Sequence, residues 1–406
     1  MLPRVLQVIP AIAPRYGGPS VAVLGMGRAL RAARVWTVVA TTDADGPGHL
    51  DVPLGEIVAH DDVPSIFFRR LYSESFKWSP GLARWLMAHV AEFDLVHVHG
   101  VFSHVLIATA RACRVRGVPY IVRPLGTLDP WSLARHGWRK QVLLRGWGRR
   151  AIAGAAAMHF TSDEERRLAT TTLPWLPPGE VVPLGVEDGL FAGVGNGREA
   201  PGASPYILSL ARLDPKKGIN RLIGAFHEAT GRGGCRDWRL VIAGDGEPGY
   251  VQALQALAQA GPAAPRITFE GWVTGDARRA LIQQASVFAL PSSQENFGIG
   301  VVEAMAAGVP VIVSPGVNLA LEIEAAEAGW VARAETLAES LAAVCASPAE
   351  IRARGAAARQ WAEQYRWPRV TRALLDLYAD VAGRAERAER AATDARRSLV
   401  ATDGRF

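Results

Sequence analysis

Val287-Phe288-Ala289-Leu290-Pro291-Ser292-Ser293-Gln294-Glu295-Asn296-Phe297-Gly298-Ile299-Gly300-Val301-Val302-Glu303-Ala304-Met305-Ala306-Ala307-Gly308-Val309-Pro310 reads as strand, loop, helix and the entry to another strand. Four apolar residues run into Pro291 and two serines, small apolar residues carry a helix through Ala307, and Gly308 and Pro310 end it. A strand, a crossover helix and a further strand form the unit from which parallel sheets are built.

The same alternation extends along the chain. Apolar or β-branched runs recur at Val5–Ile9, Val35–Thr41, Leu95–His99, Tyr120–Arg123, Ala157–Thr161 and Val181–Leu184. They resume at Tyr206–Leu210, Arg239–Ala243, Ile267–Phe269, Val287–Leu290, Pro310–Val313 and, more weakly, Trp330–Ala332. Helical patterns lie between them, so the expected fold is α/β, with two Rossmann-like doubly wound domains facing a cleft. A length of 406 residues points the same way, because it exceeds what one hydrophobic core serves. The expected boundaries are 1–188, a Gly- and Pro-rich linker at 189–205, and 206–368. Val370, Leu374, Leu375, Tyr378 and Val381 predict a helix near 369–386, ahead of a charged tail at 387–406.

Hydrophobic residues at 49% and charged residues at 21% are ordinary for a globular protein. The longest apolar runs are too short to cross a bilayer, and the N-terminus reads as a strand rather than a signal peptide, so a cytoplasmic location is expected. Cys113, Cys235 and Cys345 have no paired spacing, which speaks against a disulfide framework or structural zinc. Part of the net charge of +6 is concentrated between Trp131 and Arg150, where Arg135, Arg139, Lys140, Arg145, Arg149 and Arg150 accompany Trp131, Trp138 and Trp147 without any acidic residue. Such a segment suits an anionic membrane surface; a solvated basic helix with inward tryptophans explains it equally well. No recognition helix or aromatic–basic sheet motif points to nucleic acid.

Three constellations stand at predicted strand ends. Arg15-Tyr16-Gly17-Gly18-Pro19-Ser20 precedes a helix, where backbone could approach an anion, although a plain turn accounts for it as well. In Ser209-Leu210-Ala211-Arg212-Leu213-Asp214-Pro215-Lys216-Lys217-Gly218, Arg212 and Lys217 could reach one pyrophosphate. In the opening stretch, Glu295 and Glu303 are suited to accept from paired sugar hydroxyls, and an apolar helix is a poor place for merely solvated carboxylates.

The order Gly-Gly, Arg-x4-Lys-Gly and Glu-x7-Glu before Gly-x-Pro-Val resembles glycosyltransferase family 4, and the match runs over about residues 1–382. Asp94-Leu95-Val96-His97-Val98-His99-Gly100, Phe160-Thr161-Ser162-Asp163-Glu164-Glu165, Gly244-Asp245-Gly246 and Gly271-Trp272-Val273 are further points of similarity. The resemblance implies a retaining, metal-independent hexosyltransferase of the GT-B fold, whose C-terminal helix crosses back to the first domain. It implies a UDP- or GDP-sugar donor, a glycan or lipid-linked acceptor, and no cofactor. On this footing Arg212 and Lys217 hold the diphosphate with backbone at Gly17 and Gly18, and Glu303 binds the ribose. Glu295 and the backbone of Phe297, Gly298 and Ile299 hold the sugar, Gly271–Val273 flanks the base, and His99 reaches the sugar or acceptor. Arg123-Pro124-Leu125-Gly126-Thr127-Leu128-Asp129 resembles a subgroup found around surface polysaccharide assembly. There Arg123 faces either an acceptor phosphate or Asp129. Leu184 and Asn296 depart from the family pattern and leave the sugar open.

Rival readings exist. Gly244-x-Gly246-x-x-Gly249 fits a dinucleotide fingerprint and makes an NAD-dependent oxidoreductase the alternative, against which Asp245 and Glu247 would face a pyrophosphate. Asp43-Ala44-Asp45 and His97-x-His99, with His104 nearby, mimic metal motifs, but no set of ligands completes a site and none is expected.

Overall fold

A computed structural model describes residues 2–135, 137–192 and 204–403; the side chains of 137–139, 386 and 388–403 lie outside the description. The residues group into two compact units, Met1–Pro183 with Pro368–Phe406, and Leu184–Trp367. The break precedes the expected linker at 189–205, of which 193–203 lie outside the described residues.

The first unit runs β1 (Val5–Ala11), α1 (Gly18–Ala32), β2 (Thr37–Thr42), β3 (Ala44–Asp45), β4 (Gly48–His49), β5 (Ile57–His60) and β6 (Val63–Phe68). It continues with α2 (Pro80–His89), β7 (Leu95–His99), α3 (His104–Arg116), β8 (Tyr120–Arg123), α4 (Pro130–Ala134), α5 (Gly137–Arg145), α6 (Trp147–Ala153), β9 (Ala157–Phe160), α7 (Asp163–Thr172) and β10 (Gly179–Val181). Eight strands form one sheet in the order β10-β9-β8-β7-β1-β2-β6-β5. All its neighbours are parallel except β5 and β6. Strands β2, β7, β8 and β9 are buried at every position, which is why they read as unbroken apolar runs in the sequence. The β5–β6 hairpin was not expected. Its turn residues, Asp61 and Asp62, both take positive φ, and Pro64 interrupts the β6 pattern.

The second unit runs α8 (Asp188–Ala192), β11 (Tyr206–Leu210), α9 (Ile219–Gly231), β12 (Arg239–Ala243), α10 (Pro248–Gln259), β13 (Ile267–Gly271), α11 (Gly275–Gln283) and β14 (Val287–Leu290). Then come α12 (Ile299–Ala306), β15 (Val311–Val313), α13 (Ala320–Ala325), β16 (Gly329–Val331), α14 (Leu337–Cys345) and α15 (Pro348–Ala362). Its six strands are ordered β13-β12-β11-β14-β15-β16, all parallel. Helix α16 (Trp367–Asp403) closes the chain, and from Pro368 onward it belongs to the first unit. Its buried residues include Val370, Leu374, Leu377, Tyr378 and Val381; Leu377 rather than the expected Leu375 turns inward. Cys235 and Cys345, far apart in sequence, are neighbours in the core of the second unit.

Candidate functional site

Strands β11 and β14 are adjacent, so the loops that follow them emerge side by side. Past β11, Asp214 accepts from the Lys216 N–H at 2.9 Å and sets a single 3-10 turn, Pro215–Lys217. Gly218 then begins α9 at φ +69, where a Cβ would lie 2.3 Å from the Pro291 carbonyl oxygen, so this approach of the two loops requires glycine. The loops are also bonded together. Ser293 N–H donates to Lys216 O at 2.8 Å, and Arg221 donates to Pro291 O at 2.6 Å and to Ser293 Oγ at 3.0 Å.

Glu295 is fixed through its backbone: its N–H donates to Gly316 O at 2.7 Å, and its carbonyl accepts from Asn318 N–H at 3.0 Å. Its carboxylate pairs with the Lys217 ammonium, and the two side chains are 14% and 17% exposed. Gly298, at φ +69, opens α12, and Gly300 lets the first turn of that helix pack against the end of β11. Phe297 is buried and sits edge-on to Tyr365, so its backbone is the part suited to a ligand.

Glu303 lies on the same helix but meets neither Lys217 nor Arg212. It forms a two-point ion pair with Arg278, with one contact, Arg278 Nη1 to Glu303 Oε1, at 2.9 Å. Sequence reasoning had passed over Arg278; its only signal was a cation one turn into α11. The pair explains how a carboxylate sits in an apolar helix without a ligand. Arg212 is exposed and makes no ion pair among the described residues. Gly271, at φ +65, has open space where a Cβ would stand, Trp272 beside it is 51% exposed, and Val273 is half-buried.

In the first unit, Gly17 takes φ +68 before α1, and a Cβ on Gly17 or Gly18 would meet nothing within 4 Å. Space is therefore open in front of that helix. His99 and Arg123 are register partners ending β7 and β8, and both are buried. Around them runs a chain of hydrogen bonds that fixes every proton. Gln7 Nε2 donates to Tyr378 Oη at 3.1 Å, which leaves the hydroxyl to donate to His97 Nδ1 at 2.9 Å. His97 Nε2 then donates to His159 Nδ1 at 3.1 Å, and His159 Nε2 donates to Val182 O at 2.7 Å. Gln7 Oε1 accepts from His99 Nε2 at 2.6 Å, so His99 Nδ1 is a buried lone pair with no partner. Burial, reinforced by the nearby histidines and Arg123, holds His97 and His99 well below the usual imidazole range, and burial brings His159 down to about 3. All three rings are neutral. Burial also lowers the Arg123 guanidinium to about 10 against the opposing charge of Glu165, and its Nε and Nη1 have no partner. Asp129 meanwhile caps α4 by accepting from Ser132 N–H at 2.6 Å.

The rival motifs resolve into structure. Glu247 occupies the N-terminus of α10, accepting from Gly249 N–H at 3.0 Å and Tyr250 N–H at 2.9 Å, where a dinucleotide pyrophosphate would have to sit. Gly244 and Gly246 are required because a Cβ on either would strike the backbone of Ala211 or Leu213. The oxidoreductase alternative is therefore set aside. Asp43 is buried and accepts from Arg70 N–H at 2.8 Å beside Arg69 at 2.9 Å, while Asp45 pairs with Arg15 at 2.7 Å. Among the described residues no cluster of three or more His, Cys, Asp or Glu is placed to hold a metal.

The family model for Glycosyltransferase Family 4 matches residues 16–189, and that for Glycosyl transferases group 1 matches residues 196–361. The GDP-mannose:cellobiosyl-diphosphopolyprenol alpha-mannosyltransferase of Xanthomonas oryzae pv. oryzae is 27% identical over 94% of this chain and 97% of its own. A GDP-mannose-dependent alpha-(1-6)-phosphatidylinositol monomannoside mannosyltransferase of Mycobacterium tuberculosis is 30% identical over 59% of this chain and 66% of its own. Among solved structures, the sucrose-phosphate synthase of Thermosynechococcus elongatus superposes with a TM-score of 0.76 at 20% identity, covering 93% of this chain and 99% of its own. Anabaena HepE in complex with UDP-glucose gives 0.73 at 18% identity, covering 93% and 100%. The shared fold is GT-B. The chain is a glycosyltransferase and belongs to glycosyltransferase family 4.

Proposed function

We propose that this enzyme moves a hexose, with retention at the anomeric carbon, from a nucleoside diphosphate sugar to a lipid-linked glycan during surface polysaccharide assembly. The observation that carries the reading is the Lys217–Glu295 pair, held where the loops after β11 and β14 are bonded to each other. When a donor enters, Lys217 transfers its attraction to the diphosphate, joined by the exposed Arg212. Glu295 turns to the sugar hydroxyls beside the backbone of Phe297, Gly298 and Ile299. The two cations stabilise charge growing on the leaving diphosphate, in the place a metal takes in other transferases. Glu303 holds the ribose, Gly271–Val273 flanks the base, and the open backbone at Gly17 and Gly18 approaches the phosphates. The His99 Nδ1 lone pair and the Arg123 guanidinium serve the sugar or acceptor from the first unit.

GDP-mannose is the first donor to test, because both curated relatives above are named for it and for lipid-linked acceptors. We place the enzyme in the cytoplasm, on the inner face of the plasma membrane. The support is the basic segment from Trp131 to Arg150, in which Trp147 is 74% exposed and Arg145, Arg149 and Arg150 face solvent. No helix among the described residues is long and apolar enough to cross a membrane. The test is nucleoside diphosphate release over a panel of GDP- and UDP-sugars, with and without EDTA. Release from one donor, unaffected by EDTA and lost in Lys217→Ala, is expected; release from none, or equal release by the variant, overturns the reading.

A further inference from the structure

A second polar site lies at the opposite end of the first unit's sheet. The turn Gly117-Val118-Pro119 feeds the start of β8, and Gly154–Ala156 feeds the start of β9. Between these strand beginnings, α3 and α6, is a cavity of about 590 Å³. His99 and Arg123 stand at the far ends of β7 and β8, so this cavity is separate from the groups assigned to the sugar or acceptor.

Its lining is two-sided. Ile107, Ala110, Tyr120 and Ala151 give an apolar floor, with the Tyr120 hydroxyl already donating to Ala151 O at 2.6 Å. Arg111, Arg114 and Arg150 provide three guanidinium groups, Ala385 of α16 also reaches the lining, and among the described residues no acidic side chain lines the cavity and none of the three is ion-paired. Ile107, Arg111 and Arg114 lie at helical spacing along α3, which brings cations and apolar floor onto one face. Trp147 also lines the cavity yet remains 74% exposed, with Val142 and Val115 on the flanking helices 66% and 60% exposed. Guanidinium forks match phosphate oxygens, and an exposed indole is at home at headgroup level. The volume beyond a phosphate is walled by carbon.

We propose that this cavity seats the phosphate headgroup and glycerol base of an anionic phospholipid, so that the first unit is held to a membrane by a defined lipid site rather than by diffuse charge. This rests on the proposal that the Trp131–Arg150 segment meets an anionic membrane. Each cation near an anionic surface is worth roughly fivefold in affinity, so a matched pair of substitutions separates a seated headgroup from general attraction.

The experiment is cosedimentation of the full chain with phosphatidylcholine vesicles, with and without phosphatidylglycerol, at about 0.1 M salt. The double variant Arg111→Gln/Arg114→Gln is compared with Arg145→Gln/Arg149→Gln, which removes equal charge outside the cavity. Wild type is expected to need phosphatidylglycerol, and the cavity variant to lose well over 25-fold in partitioning while the control loses no more than the about 25-fold that general attraction of two cations accounts for. Nucleoside diphosphate release in vesicle-free solution should be unchanged in both, which keeps this test apart from that of the transferase site. Equal losses in the two variants overturn the lipid site but leave a charged membrane face. Wild type indifferent to phosphatidylglycerol overturns both. Full competition by millimolar glycerol 3-phosphate would show a soluble anion site and also overturn the proposal.

Discussion

In the second unit the strand ends carry charge. Lys217 faces Glu295 and Arg278 faces Glu303, with side chains between 9% and 27% exposed. In the first unit, beside the single buried cation Arg123, the sheet carries a neutral set: Gln7, His97, His99 and His159 are 0% exposed and joined to Tyr378 through one chain of hydrogen bonds. Pairs at a water-lapped edge can exchange partners with a ligand at modest cost, because both charges stay partly hydrated. A sealed neutral chain has no such freedom, since moving one proton leaves a buried donor or acceptor unmet. The second unit is thus built to change partners, and the first to hold one ring, His99, with a fixed unshared lone pair.

The sharpest break of this contrast is at Lys217. Lys217→Ala should lower kcat/KM by about 100-fold or more, the usual effect of removing one group that meets developing charge. It should also weaken nucleoside diphosphate binding. Glu295→Gln should lower the rate comparably while leaving that affinity nearly intact, because its partner in the reading is the sugar. Isothermal titration with the diphosphate beside steady-state rates checks both. Identical profiles for the two variants would remove the division between phosphate and sugar.

Arg278→Ala tests the other pair through stability. It leaves Glu303, only 9% exposed at its side chain, without its cation, and should cost about 2–3 kcal/mol, below the range for a fully buried pair because Arg278 is itself 27% exposed. Adding Glu303→Gln should recover part of that loss in urea unfolding. If the double variant is no more stable than the single, the pair does not account for the burial of Glu303. In the first unit, Tyr378→Phe removes the hydroxyl that joins Gln7 to His97 and should cost about 1–2 kcal/mol in the same assay, with diphosphate affinity unchanged.

The two halves of this comparison were unequally visible in the sequence. Buried parallel strands are continuous apolar runs, so the two Rossmann-like sheets could be read directly, apart from the β5–β6 hairpin with its Asp61-Asp62 turn. Lys217, Glu295 and Glu303 were legible because each sits a fixed few residues beyond a strand or inside the helix that follows. Arg278 was not, because its partner arrives from another crossover, 25 residues away. The hydrogen bond from Gln7 to Tyr378 spans 371 residues, and no local pattern announces it. His97-x-His99 drew attention as a metal motif with His104. The ring that completes the group is His159, brought in by the adjacency of β7, β8 and β9, while His104 accepts instead from Ser79 N–H at 3.3 Å. Cys235 and Cys345 show the same limit, since a spacing of 110 residues carries no information about contact.

The gentlest test is titration. In the unfolded chain a histidine binds a proton near pH 6.5, whereas in the folded unit His97, His99 and His159 are held lower by burial, His159 at about 3. Above pH 6.5 all are neutral in both states and their contribution to stability is fully present. As pH falls through 6.5 the unfolded state takes up protons that the folded state refuses, so stability declines, by up to about 1.4 kcal/mol per pH unit for each ring, until the folded values are reached. Asp94 and Glu247 are also lowered, but they act only below the ordinary carboxylate range, so the window from pH 6.5 to about 4.5 belongs to histidine. Urea midpoints across that window should fall, and His159→Asn should flatten the slope by about one ring's worth. A wild-type midpoint that is constant from pH 6.5 to 4.5 would mean the rings accept protons in place. The first unit would then be no more sealed than the second, and the contrast between them would fail.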